Sequence, residues 1–147
     1  MKPFAFGLEK VLDLRKYHED EAKIELGRAV GVLTELESRI FTLAGERSRA
    51  AASQFSPANN AALMQQYMLY ILRLDNTKER LLKEAALAEL KVEEAREKFL
   101  EASRERKVLD KLKDKRQKEY HKIKLDEETK VMDDLSSGAQ ARIGVTA

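Results

Sequence analysis

Ala50-Ala51-Ala52-Ser53-Gln54-Phe55-Ser56-Pro57-Ala58-Asn59-Asn60 is the stretch that decides how this chain folds. Ser56 followed by Pro57 reads as a helix N-cap and a proline in the first helical turn, where its missing N–H does no harm. Pro57 also pushes Ser56 out of the helical region. Between Pro57 and Gly138 there is neither glycine nor proline. Proline costs about 3 kcal/mol inside a helix and glycine about 1 kcal/mol, so this run predicts one very long helix. At 1.5 Å per residue it would reach roughly 110 to 120 Å, the length of a rod.

Working outward, a first helix is expected over about 8–52, a turn over about 53–57 and a second helix over about 57–135. Ser136-Ser137-Gly138 reads as the stop, followed by a flexible tail over 136–147. Apolar residues step by four and three in the first helix at Ala22, Leu26, Ala29, Leu33, Leu36, Ile40 and Leu43. The second keeps the rhythm through Met64, Tyr67, Ile71, Leu74, Leu81, Ala85, Ala88, Val92, Ala95, Phe99, Ala102 and Leu109. A seven-residue repeat held this long imposes a supercoil, and a short turn makes the helices antiparallel neighbours. The fold class is therefore all-α, a long two-helix antiparallel coiled-coil hairpin in a single coiled-coil domain over 1–147.

The arms are unequal. A fold about residue 55 sets Leu8 opposite Ala102, leaving the second helix to overhang with Leu109, Leu112, Tyr120, Ile123, Leu125, Val131, Met132 and Leu135. A lone amphipathic helix gains little in water, so the overhang is expected to be held by something else. Gly27 and Gly31 either permit close approach to Ala85 and Ala88 or are tolerated weak spots, each costing about 1 kcal/mol.

Composition narrows the function. Charged residues make up 37% of the 147 and aromatics 6%, too little bulky apolar material for a layered core but enough for a seam. A net charge of +2 argues against a dedicated nucleic-acid binder. Without cysteine there is no disulfide or thiolate metal site, as suits a cytoplasmic protein. No stretch is apolar enough to span a membrane, and the N-terminus lacks the centre of a secretory signal. His18 and His121 sit far apart on charged stretches, and no glycine-rich phosphate loop occurs. No catalytic residue, cofactor or metal site is expected.

Two segments stand out as partner surfaces. Arg104 to Lys124 is basic, with Lys111, Lys113, Lys115 and Arg116 at its centre. It meets an acidic protein surface or nucleic acid, or is simply a solvated face. Tyr67-Met68-Leu69-Tyr70-Ile71-Leu72-Arg73-Leu74 carries more apolar surface than a two-helix seam needs. Met68, Leu69, Tyr70 and Leu72 point elsewhere, which marks a partner site or a widened tip core wrapped by Phe41 and Leu43.

The opening Phe4-Ala5-Phe6-Gly7-Leu8-Glu9-Lys10-Val11-Leu12-Asp13-Leu14-Arg15, leading into Glu19 and Ala22, resembles the N-terminus of the flagellar export family FliJ. Leu109-Asp110-Lys111-Leu112 through Met132-Asp133-Asp134-Leu135 is also similar to that family, and the resemblance covers essentially the whole chain. It implies a non-enzymatic stalk and coupling component of the flagellar type III export apparatus, resembling the stalk of the rotary ATP synthase. The implied partners are the hexameric export ATPase, the export gate protein FlhA and export chaperones. The implied location is the cytoplasm, peripheral to the inner membrane at the flagellar base. The family's gate-binding stripe falls on Tyr70, Leu74, Thr77 and Leu81, with Thr77 and Leu81 departing from the residue types usual there. In the same light Lys111, Lys113, Lys115 and Arg116 would meet acidic residues of the ring. An export chaperone or escort for filament-type substrates, an RNA-binding arm and a virulence-type secretion stalk remain the alternatives.

Overall fold

A computed structural model describes residues 2–146. It contains α1, Glu9–Gln54, and α2, Ala61–Thr146, of 46 and 86 residues, and no strand among the described residues. The helices pack against each other as an all-α hairpin. Their contacts divide into two compact units, one spanning His18–Ala102 and one joining the residues up to Tyr17 to those from Ser103 onward.

In the His18–Ala102 unit the seam is built from the heptad positions. Leu36, Leu81 and Ala88 are buried together, with Leu33, Ile40 and Ala85 packed around them. Leu74, Val92 and Ala95 continue the buried row on α2. Leucine facing alanine keeps this seam narrow, which is why so few bulky residues suffice. Gly27 and Gly31 do not approach Ala85 or Ala88: a Cβ at either would meet nothing within 4 Å. They are open positions on α1, and their cost is the ordinary helical glycine penalty.

The turn is built differently from the expected Ser56 cap. Asn59 N–H donates to Ser56 O at 3.0 Å, so Pro57 occupies the second position of a β-turn rather than the start of a helix. Two adjacent asparagines then cap the two helices. Asn59 Nδ2 donates to Ser53 O at 2.7 Å and Gln54 O at 3.1 Å, satisfying terminal carbonyls of α1. Asn60 Oδ1 accepts from Leu63 N–H at 2.8 Å, the N-cap bond of α2. The second helix thus starts at Ala61 and not at about 57.

That longer turn moves the register. Arg47 pairs with Asp75, Nε to Oδ1 at 2.6 Å, where a fold about residue 55 would have set Leu63.

In the other unit the N-terminal segment lies along α2. Phe6 and Leu12 are buried, Leu12 at 0% exposure, and Ser103 is buried beside a row that continues through the half-buried Leu109 and Leu112. Glu9 N–H donates to Phe6 O at 3.1 Å, turning the chain into α1. Lys113 Nζ meets Glu9 Oε2 at 2.8 Å, and Arg15 forms an ion pair with Glu105. Farther along, Tyr120 Oη donates to Lys2 O at 2.6 Å while its ring lies 5.6 Å from that of Phe4. The expected overhang is therefore shortened. Leu109, Leu112 and Tyr120 have partners in the same chain, and α2 is exposed at every residue from His121 through Gly144.

The expected stop at Ser136-Ser137-Gly138 is also corrected: residues 136–146 of the expected tail are helical. A left-handed C-cap needs a positive φ, and Gly138 has none. The segment Ala139-Gln140-Ala141-Arg142 that follows it consists of good helix formers, and α2 runs on to Thr146. Ala147, the last residue of that expected tail, lies outside the described residues.

A candidate docking furrow beside the hairpin tip

Near the turn, both helices expose one edge of their seam, and three shallow depressions run along it. One is lined by Arg39, Leu43, Glu46, Thr77, Arg80 and Leu81, among others. The next is lined by Glu46, Arg49, Ala50, Ser53, Tyr67 and Tyr70. The last is formed by Leu63, Gln66, Tyr67 and Tyr70. Glu46 lines the first two and the tyrosine pair the last two, so the three adjoin in a row, an interrupted furrow whose first two parts lie between α1 and α2 and whose last is lined by α2 alone.

Three members of the expected gate stripe, Tyr70, Thr77 and Leu81, line this furrow at different depths, and Leu74 lies in the seam between them. Leu81 is 5% exposed, and Leu74 is buried too; both belong to the seam. Tyr70 is 39% exposed and stands as a ridge between two of the depressions. Thr77 is half-buried in the wall, and its Oγ1 donates to Arg73 O at 2.9 Å, a back-bond that leaves its methyl free to pack. Tyr70 and Thr77 can therefore touch a partner directly, while Leu74 and Leu81 hold the floor in place.

The apolar excess at the tip is real. Met68, Leu69 and Leu72 are exposed, turned away from the seam that Tyr67, Ile71 and Leu74 enter. Phe41 does not wrap across them; it is 82% exposed.

The basic centre of α2 is divided. Lys111 and Lys115 are exposed, but Lys113 is tied to Glu9 and the Arg116 guanidinium lies 5.9 Å over the Phe6 ring. The hydrogen bond from Lys113 to Glu9, against some desolvation, and the nearby Glu9, Asp13 and Asp110 charges raise its pKa above the ordinary lysine value. Arg47 is likewise held more firmly protonated, by its hydrogen bond to Asp75 first and by that carboxylate's charge second.

The α1 wall of the furrow, Glu46, Arg49, Ala50 and Ser53, is what sequence reasoning missed. With the fold-back set at residue 55, Tyr70 would have faced Ile40. The signal that corrects this is the Asn59-Asn60 pair, whose two caps fix the length of the turn.

Among the described residues no helix is long and apolar enough to cross a membrane, and no group of three or more His, Cys, Asp or Glu is placed to hold a metal ion. No curated relative and no solved structure matches the chain. The family model described as flagellar FliJ protein matches residues 4–143. That match takes in both helices, the turn and the N-terminal segment folded onto α2. The chain belongs to the FliJ family, a component of flagellar protein export.

Proposed function

We propose that the chain is a non-catalytic stalk that couples the hexameric export ATPase to the export gate protein FlhA, working in the cytoplasm against the inner membrane at the flagellar base. The observation that carries the gate half is the furrow. It presents Tyr70 and Thr77 at the surface and backs them with the buried Leu74 and Leu81. An aromatic ridge over a packed floor suits a binding anchor, because little conformational entropy is lost when a partner seats on it.

For the ring half, Lys111 and Lys115 are exposed, whereas Lys113 and Arg116 would exchange their contacts to the N-terminal segment for contacts to an acidic ring surface. The action is mechanical and allosteric, through contacts that differ among ring subunits.

The test measures ATP hydrolysis by the cognate ring with and without the chain. Stimulation by the wild type, weakened in Lys111→Glu with Lys115→Glu, is the expected result; no stimulation by the wild type contradicts the ring half. In parallel, Tyr70→Ala with Thr77→Lys should abolish capture of the gate protein while circular dichroism stays unchanged. Full capture by that variant contradicts the gate half.

A second reading, an export chaperone or escort, is favoured by Met68, Leu69 and Leu72, which lie exposed on faces that α1 does not cover. Replacing these three by serine would then impair retention of chaperones or filament-type clients without affecting gate capture.

A further inference from the structure

The furrow carries a charge pattern that the gate reading does not use. Its apolar floor is flanked by Arg39, Arg49 and Arg80, with Glu46 the one acid lining it. Arg39 is matched by Glu35 at 2.7 Å. Arg49 and Arg80 are exposed and have no ion pair among the described residues. Arg49 lies back along α1, one guanidinium nitrogen 3.6 Å from where a Cβ on Gly45 would stand. It flanks the depression that contains Tyr67 and Tyr70. Arg80 flanks the one that contains Thr77 and Leu81. Each half of the furrow thus pairs an apolar surface with one unmatched guanidinium, in a chain whose net charge is only +2.

We infer that the furrow receives a linear acidic segment of a partner protein, with an apolar or aromatic side chain seated beside Tyr67 and Tyr70 and carboxylates on Arg49 and Arg80. The dimensions fit such a segment. From Leu63 to Leu81 the furrow follows α2 for roughly 27 Å at the helical rise, the reach of about eight residues of extended chain. Guanidinium groups favour carboxylates because the planar fork matches two oxygens at once. A compact acidic domain would reach the arginines but not the floor between them. A basic segment would face two unmatched cations.

This inference rests on the docking role proposed for the furrow, and its test separates the two. The full chain is titrated with two labelled synthetic peptides that share one phenylalanine and two leucines, flanked by Asp and Glu in one and by Lys in the other. The acidic peptide should bind about tenfold tighter at low salt, with the margin shrinking as salt screens the exposed charges. Arg49→Glu with Arg80→Glu, both at exposed positions, should reverse the preference while helicity is retained. Equal binding of the two peptides, preference for the lysine peptide, or a preference untouched by the reversal overturns the inference. In a second arm the wild type and the reversal variant are titrated with the cytoplasmic part of the gate protein. Gate binding unaffected by the reversal leaves the docking role standing and removes the acidic segment. Absence of gate binding by the wild type, with the peptide preference intact, does the opposite.

Discussion

Two stretches of α2 in the same unit, Ser103–Tyr120 and His121–Gly144, are both helical and differ in what lies on them. The first is covered by the N-terminal segment: Ser103 is buried, Leu109 and Leu112 are half-buried, and Tyr120 is hydrogen-bonded to Lys2. The second is exposed along its length, with Ile123, Leu125, Val131, Met132 and Leu135 all open to solvent. Helical continuity is thus set locally, by a run free of glycine and proline until Gly138, while burial depends on what the N-terminal segment of the same chain supplies. An isolated helix is marginal in water, so the two stretches should differ sharply in stability despite sharing one backbone conformation.

The largest expected effect comes from removing the cover. Leu12 is fully buried, and Leu12→Ala should destabilise this unit by about 2–5 kcal/mol, read as a lower thermal midpoint by circular dichroism. A loss below about 1 kcal/mol would mean that the N-terminal segment is not what stabilises Ser103–Tyr120.

Next in size, amide hydrogen exchange should be on the order of tenfold or more faster over 125–144 than over 103–120. Equal protection would erase the distinction between covered and exposed.

Gly138→Ala sharpens the exposed side. With no positive φ and nothing within 4 Å of an added Cβ, the alanine should stabilise the last turns by about 1 kcal/mol, raising helicity and slowing exchange beyond 135.

The smallest effect concerns the Glu9–Lys113 pair. Because the folded pKa of Lys113 is raised, its contribution is fully present below the ordinary lysine pKa and is lost as pH climbs through the raised value. Stability should therefore be flat through neutrality and fall slightly at strongly alkaline pH, and the Lys113→Gln variant should lack that fall. Both partners are substantially exposed, so the effect is small.

The heptad seam was legible in the sequence because Leu81, Ala85, Ala88, Val92 and Ala95 repeat at helical spacing, and their burial or half-burial follows directly from that spacing. The fine register was not. Ser56-Pro57 suggests two structures with similar local chemistry, a capped helix start and a β-turn with proline second, and only the hydrogen bonds of Asn59 and Asn60 distinguish them. The resulting displacement carried Tyr70 to the wrong place on α1 and concealed Arg49. Gly138 deceived for a related reason: glycine marks a helix end only where the backbone adopts a positive φ, which depends on the residues that follow. Of the gate stripe, Leu74 and Leu81 were legible as heptad positions and Tyr70 as apolar excess, and only Thr77 came from the family resemblance alone. The exposed Met68, Leu69 and Leu72 came from periodicity.

The furrow edge, rather than the outer face of α2, is the surface proposed to meet the export gate. Photo-crosslinking distinguishes them with substitutions one helical face apart: a photoreactive residue at Thr77, in the furrow wall, or at Leu72, exposed on the outer face. The crosslinker at Thr77 should capture FlhA and the one at Leu72 should not; capture from Leu72 alone would contradict the proposed gate surface.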